Sequence, residues 1–175
     1  MDKRGVGKTD GRQLMRKILV TAGFLLLIIL LILQFIRPER NEGLRGTEND
    51  MVRVIEVPAD IGAMLEHSCY DCHSNQTRYP WYSRISPISW LLERHISHGK
   101  EKLNFSEFGN LDRTAKIALL SDLCEVVQAD IMPLKSYLLI HRDAGLTEDE
   151  TAAICAWSDA EAMKLIRTGT LPEGP

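Results

Sequence analysis

The longest apolar stretch of the chain is a run of 19 residues, Ile18 to Ile36, that contains no charged residue. As a helix this run would be roughly 29 Å long, close to the thickness of the hydrocarbon core of a bilayer. It is longer than the apolar part of a typical cleaved signal peptide, and the residues that end it, Gln34 to Pro38, offer no small-residue cleavage site. The pattern therefore predicts a retained transmembrane anchor over residues 18–36.

Beyond the anchor, apolar residues recur at the spacing of helices. Two stripes are predicted to face a core: Ile88, Leu91, Leu92, His95 and Ile96, and then Ile117, Leu120, Cys124, Val127 and Ile131. Gly99 is predicted to end the first of these helices, and Thr147 to Glu150 form a capping box for a last helix that stops near Gly169. Because no segment alternates with a period of two, we predict an all-α fold of four or five short helices.

These patterns divide the chain into four segments: a basic segment 1–17, the anchor 18–36, a polar tether 37–56 and a folded domain 57–175. Lys and Arg are in excess before the anchor, and they alternate with Glu after it. By the positive-inside rule, the N-terminus is cytoplasmic and the folded domain lies outside. In a bacterium this is a single-pass protein of the inner membrane with a periplasmic domain.

Charge narrows the choice of partners. The 37 residues before Pro38 carry seven Lys/Arg and two Asp/Glu, whereas the remainder carries 14 and 22, a net charge of −8. Such an acidic domain is a poor ligand for nucleic acid, because it cannot neutralise a run of phosphates. A partner protein at the membrane, steered by the field of the acidic domain, is the expectation.

The motif with the clearest chemistry is Cys69-Tyr70-Asp71-Cys72-His73, which has the C-x-x-C-H spacing of c-type haem attachment. Two cysteines three residues apart on a helical turn lie on one side of it, where their sulfurs can add to the two vinyl groups of haem. His73 then falls beneath the ring and offers a nitrogen to the iron. We therefore predict one covalent haem c, bound by Cys69, Cys72 and His73.

Two other chemistries use the same residue types. A thioredoxin-like dithiol would be expected in a βαβ context, which the surroundings of the motif do not suggest. A structural zinc site would need two further ligands, and Cys124 and Cys155 are 31 residues apart without forming a close pair. In an oxidising compartment these two cysteines could instead form a disulfide, or Cys124 could be a buried thiol.

Met132 is the leading candidate for the second axial ligand of the iron. It precedes Pro133 in a turn 59 residues after His73, directly after a predicted helix, and c-type cytochromes commonly take a methionine from such a loop. His95 is the alternative sixth ligand, or a residue that binds a haem propionate, and the position could also be vacant. His67, His98 and His141 are weaker candidates.

The aromatic segment Tyr79-Pro80-Trp81-Tyr82 follows the motif closely. One hypothesis is that it walls an edge of the haem and keeps water from the iron. The other is ordinary packing of the core or of a loop.

Beyond these local motifs, longer stretches of the chain carry a resemblance to a known family. They comprise Cys69 to Thr77, Tyr79 to Tyr82, Ser89-Trp90, His95-Ile96, Leu103 to Ser106, Met132-Pro133, Tyr137, His141 and Trp157. On these residues, which cover about 57 to 160, the chain resembles the bacterial haem-binding domain family, c-type-cytochrome-like proteins with one haem site. The resemblance implies covalent haem, a small α-helical c-type fold and a cell-envelope location. It also implies that Met132 is the distal ligand, although Leu134 stands where that family often has a second proline.

The function favoured by the sequence is one-electron transfer by a membrane-anchored c-type cytochrome. The partners expected are a redox protein in or at the membrane and the cytochrome c maturation machinery. No acid-base pair or substrate pocket is evident, so no catalytic residue is predicted and an electron carrier is favoured over an enzyme. The alternatives are a haem enzyme or sensor with an open sixth position, for peroxide reduction or small-ligand binding, and a structural zinc module.

Overall fold

The computed structural model describes residues 8–170, so Lys3 and Arg4 of the predicted basic segment lie outside the described residues. The all-α prediction is confirmed, because the described residues contain helices and, outside them, only one isolated bridge, between Glu42 and Gln76. The α-helices are α1 (Lys8–Leu33), α2 (Met51–Val54), α3 (Ala59–Ser68), α4 (Tyr70–His73), α5 (Ile88–Lys102), α6 (Arg113–Gln128), α7 (Lys135–Leu138) and α8 (Glu148–Thr170). Short 3-10 helices span Trp81–Arg84, Phe105–Asn110 and Arg142–Ala144.

The chain forms two compact units. Among the described residues, the first comprises 8–39 and 80–92, and the second 40–79 and 93–170. In the first unit, 23 residues of α1, Gly11–Leu33, have a mean hydropathy of 2.4 and none of them is buried. At 1.5 Å per residue they extend for roughly 35 Å, enough to cross a bilayer. This helix is therefore compatible with a single membrane span.

In the second unit the main packing is between α6 and α8. The second predicted stripe is largely confirmed: Leu120, Cys124 and Val127 are buried, whereas Ile131 lies beyond the end of α6 and is 55% exposed. From α8 itself Ile154, Trp157 and Ala162 are buried, and the elements around the two helices add further buried apolar residues: Met51, Ile61, Leu65, Tyr70, Phe105 and Phe108.

Cys124 of α6 and Cys155 of α8 are joined by a disulfide. The sequence left open a disulfide between these residues or a buried thiol at Cys124, and the structure shows the disulfide. The bond crosslinks the two helices that form most of the core, and it removes both thiols from any other chemistry.

Two helix N-termini follow the rules of capping. Asp112 accepts a hydrogen bond from the amide of Ala115 at 2.8 Å and begins α6. At α8, the Thr147 hydroxyl accepts from the amide of Glu150 at 3.2 Å, and the Glu150 carboxylate accepts from the amide of Thr147 at 2.8 Å. The predicted capping box is therefore present, and α8 extends to Thr170, close to the predicted end.

The predicted tether, residues 37–56, differs from what the structure shows. Asp50 and Met51 are each 1% exposed, and α2 begins there. Asn41 donates through its side chain to the carbonyl of Ser74 at 2.8 Å and to the hydroxyl of Thr77 at 2.9 Å. A polar segment with alternating charge can be ordered where its side chains hydrogen-bond to backbone groups, and composition does not reveal such pairing.

Candidate functional site

The C-x-x-C-H residues form one tight helical turn: Cys69 is the junction between α3 and α4, and the other four residues are α4 itself. The amide of Cys69 donates to the carbonyl of Leu65 at 2.9 Å and so ends α3. The carbonyl of Cys69 then accepts from the amides of Cys72 and His73, at 3.1 and 3.0 Å. The three residues that the sequence predicts to bind haem are thus held on one helical turn.

The two middle residues of the motif each contact residues outside it. Tyr70 stacks on Phe105 with ring centroids 4.8 Å apart, and its hydroxyl donates to buried Asp50 at 3.3 Å. Burial and the nearby Asp50 carboxylate raise the pKa of Tyr70 above its ordinary value. The carboxylate of Asp71 accepts from the amide and the Nε of Arg78, both at 3.1 Å. Both x positions of the C-x-x-C-H motif are therefore occupied by side chains with defined partners.

His73 is held in one tautomer by its surroundings. Its Nδ1 lies 2.9 Å from the carbonyl oxygen of Leu103, and because a carbonyl can only accept, Nδ1 carries the hydrogen. Burial lowers the pKa of His73, although the carbonyls of Leu103 and Gly99 favour the protonated ring. The ring is therefore neutral at pH 7, and the lone pair of Nε2 is available to a metal.

Gly99 has a role that the sequence pattern does not reveal. It was predicted to end the helix, but α5 continues to Lys102. A Cβ at this position would lie 2.8 Å from the carbonyl oxygen of Cys72. Glycine therefore allows α5 to approach the backbone of the motif turn, and the uninterrupted helix then carries Leu103 to His73.

Two cavities lie beside this turn, with volumes of about 350 and 160 Å³. Six residues line both of them: Ser68, Cys69, His73, Lys102, Met132 and Pro133. The rest of the larger cavity is mainly apolar, and α6 lines it with Leu119, Leu123, Val126 and Val127, beside Asp122 and Glu125. The smaller cavity is also lined by Cys72 and His95. The two cavities form one cleft that joins the motif turn to α6 and to the loop after it.

Met132 reaches this cleft because α6 ends in a sharp turn. Asp130 adopts a positive φ of 54°, and the amides of Ile131 and Met132 both donate to the carbonyl of Val126, at 3.0 and 3.2 Å. The chain thus folds back over the last turn of the helix. Met132 lines both cavities together with His73, whereas His95 lines the smaller one.

The three histidines that were weaker candidates for the sixth ligand differ in their positions relative to the cleft. His67 contacts Asp143, with its Nε2 2.9 Å from that residue's carbonyl oxygen, and His141 stacks on Tyr137 with ring centroids 4.4 Å apart. Neither of these histidines lines the cleft, whereas exposed His98 lies at the smaller cavity.

The aromatic segment 79–82 is not among the residues that line the two cavities. Neither Tyr79 nor Trp81 is among the residues that line either cavity, and Trp81 is 77% exposed. The hypothesis that residues 79–82 shield a haem edge therefore stays a prediction.

The residues of the cleft fit a haem. A neutral imidazole with an available nitrogen and a thioether are both haem-iron ligands, and the largely apolar walls suit a porphyrin. A model of the haem-binding domain family matches residues 28–160 of the chain. The chain belongs to the haem-binding domain family. No curated protein and no solved structure matches it. The matched residues begin within α1 and include residues 37–56.

The two other chemistries find no support at this site. Burial, with the neighbouring Cys72, raises the pKa of Cys69 to about 12, and burial, with Asp71, raises the pKa of Cys72 to about 11. A redox dithiol needs the opposite shift, because the thiolate is the nucleophile. For zinc, Cys124 and Cys155 are consumed in their disulfide, and within the described part of the chain no three His, Cys, Asp or Glu side chains converge on a metal position.

Proposed function

We propose that this haem-binding domain is a membrane-anchored c-type cytochrome that carries single electrons. Cys69 and Cys72 attach one haem covalently, His73 is the proximal ligand of the iron, and Met132 is the distal ligand. The observation that carries the proposal is the cleft itself, since Cys69, His73 and Met132 line both of its cavities.

Each residue has a defined task in this proposal. Each thiol adds across one vinyl group, its sulfur to one carbon and its hydrogen to the other, so that attachment needs no oxidant. The Leu103 carbonyl holds the His73 ring and leaves Nε2 for the iron. Lys102, which is exposed and lines both cavities, supplies a cation for a propionate.

When bound, haem supplies a one-electron couple, and a thioether opposite an imidazole raises its potential relative to two imidazoles. The chain contributes a largely apolar environment, since Phe105 and apolar side chains of α6 line the larger cavity. A redox protein at the membrane is the proposed partner, and the cytochrome c maturation machinery is needed for attachment.

The proposed location is the bacterial inner membrane, with α1 as its single span and the haem domain in the periplasm. The exposed apolar surface of residues 11–33 supports the span. The disulfide between Cys124 and Cys155 supports an oxidising compartment, where such bonds persist. The basic excess before the span favours a cytoplasmic N-terminus.

A second candidate function rests on His95, which lines the smaller cavity beside Cys72 and His73. If Met132 does not ligate the iron, His95 is placed to exchange a proton with a small molecule in that cavity. The function would then be that of a haem enzyme or a sensor for small ligands.

The test is an optical spectrum of the full chain, co-expressed with a cytochrome c maturation system and purified in detergent. Spectra are recorded oxidised, reduced and reduced with carbon monoxide. For an electron carrier we expect haem that survives a denaturing gel, a reduced spectrum of low-spin c-type haem, and no change with carbon monoxide. A reduced spectrum that carbon monoxide alters readily would favour the enzyme or sensor.

Variants without each cysteine provide the control for attachment. Cys69→Ala and Cys72→Ala should each leave one thioether and shift the reduced absorption maximum to longer wavelength, because one vinyl group remains conjugated with the ring. The double variant should lose haem on a denaturing gel. Wild-type protein that loses its haem under the same conditions would refute covalent attachment.

A further inference from the structure

In the first unit, the segment 80–92 has an inverted distribution of polar and apolar side chains. Ser86 and Ser89 are 3% and 5% exposed, whereas Trp81 is 77% exposed and Leu91 54%. Ile85 and Ile88, between them, are also exposed. A surface helix in water normally buries its apolar stripe and exposes its serines. This segment therefore presents an apolar face outward, and the predicted core-facing stripe is wrong for Ile88 and Leu91.

The buried side of the segment is attached to the residues that follow the apolar helix α1. The side-chain amide of Gln34 donates to the carbonyl of Ser86 and accepts from the amide of Ser86, both at 3.0 Å. The indole of Trp90 donates to the carbonyl of Ile36, also at 3.0 Å. Gln34 is a polar residue within the otherwise apolar run 18–36, and it hydrogen-bonds both backbone polar groups of Ser86.

These hydrogen bonds place the segment at one end of the membrane-spanning helix. Gln34 and Ile36 follow Leu33 directly, so a bilayer crossed by α1 ends at about their depth. Phe35, which lies between them in the sequence, is 89% exposed. Tryptophan beside arginine is typical of residues that lie among lipid headgroups, and Trp81 stands close in the chain to exposed Arg84.

We propose that residues 81–91 form a second membrane contact, an interfacial segment that inserts Trp81, Ile85, Ile88 and Leu91 into the headgroup region of the outer leaflet. The proposal rests on the membrane span of the proposed function. Its occupant is the lipid surface, because the segment is hydrogen-bonded to the residues that end the span. Its serines are buried on that side: the Ser86 hydroxyl donates to the carbonyl of Ile36 at 3.5 Å and lies 3.2 Å from the Ser89 hydroxyl.

The experiment compares two single cysteines in the full haem-loaded chain, reconstituted in vesicles of phosphatidylcholine with a minority of phosphatidylglycerol. Trp81→Cys is the test variant and Leu139→Cys the control, because Trp81 is 77% and Leu139 76% exposed in the structure. A membrane-impermeant maleimide labels the thiols, and peptide mass spectrometry gives the rate at each residue. We expect position 81 to react about tenfold more slowly than position 139, the ratio that about 1.4 kcal/mol of partitioning produces.

Equal labelling rates at the two positions would overturn the proposal. Slow labelling at position 81 that disappears when the protein is diluted in lipid would also overturn it, since a second copy would then cover the face. Ile88→Cys repeats the test at a second position if the haem spectrum shows that Trp81→Cys does not fold. Failure of the proposed function would give different results from failure of this proposal. If α1 does not span the membrane, alkaline carbonate releases the chain from the vesicles. If the thioethers are absent, Cys69 and Cys72 react with the same maleimide.

Discussion

His73 and Leu103 are joined by a hydrogen bond of 2.9 Å between the imidazole Nδ1 and the backbone carbonyl oxygen. Leu103 directly follows the last residue of α5, so the orientation of the ring depends on where that helix ends and how closely it approaches the motif. Gly99 controls this approach, since it places α5 against the carbonyl of Cys72. The proposed proximal ligand is thus positioned by backbone groups that are distant in the sequence.

Replacing Gly99 with alanine should disturb this arrangement. The new Cβ would meet the Cys72 carbonyl oxygen at 2.8 Å, and because that neighbour is backbone, α5 or the motif turn must move. We expect Gly99→Ala to lower the free energy of unfolding by about 1–3 kcal/mol, the usual cost of an overpacked site. Guanidinium unfolding of the full chain in detergent, followed by far-ultraviolet circular dichroism, measures it.

Gly62→Ala is the matched control, since both glycines lie inside helices. A Cβ at position 62 meets only Val57 Cγ1, at 3.7 Å, which is an ordinary contact. Alanine there should stabilise α3 by up to about 1 kcal/mol through its helix propensity. If the two substitutions changed the unfolding free energy equally, the close approach at Gly99 would not be the cause.

Met132→Ala and His95→Ala form a pair that identifies the distal ligand. Met132 lines both cavities with His73, and His95 lines the smaller one. We expect Met132→Ala to keep covalent haem, to lose the methionine-to-ferric-iron charge-transfer band and to bind carbon monoxide when reduced. His95→Ala should retain that band and resist carbon monoxide. The reverse result would make His95 the ligand, and an unchanged spectrum in both variants would favour an open position.

The disulfide between Cys124 and Cys155 should be a large part of the stability of the domain. It closes a loop of 31 residues between the two helices that form most of the core. Replacing both cysteines with alanine is expected to cost about 2–4 kcal/mol, measured by guanidinium unfolding. Dithiothreitol should reproduce the loss in the wild type and have no further effect on the double variant, because thioethers resist thiol reduction. A double variant as stable as the wild type would contradict this role.

Local patterns explain what the sequence predicts well. The helical class, the capping box at Thr147 and the burial along α6 follow from spacing within single helices. Periodicity also shows that Ile88 and Leu91 share a face, but it cannot show what that face meets, and both residues are exposed. The partner of His73 is a main-chain carbonyl, which no side-chain pattern encodes.

Glu150 should make the stability of the domain depend on pH in the acidic range. Hydrogen bonds from the amide of Thr147, and next from its hydroxyl, hold the pKa of Glu150 below its ordinary value. A lowered folded pKa means that the stabilisation is present above the unfolded value, about 4.3, and is lost as the pH falls through the folded value. Because the carboxylate is exposed, we expect Glu150→Gln to cost less than about 1 kcal/mol at neutral pH.

Unfolding curves of the wild type and of Glu150→Gln, measured at neutral pH and again below about pH 4, give the test. The difference in unfolding free energy between the two proteins should shrink as the pH falls, because the wild-type carboxylate becomes protonated and then resembles the amide. Glu148→Gln removes a charge from the same first turn but leaves both Thr147 hydrogen bonds in place. Any effect that this control shares with Glu150→Gln belongs to the helix dipole rather than to the capping box. A difference between wild type and Glu150→Gln that is independent of pH would contradict the assignment.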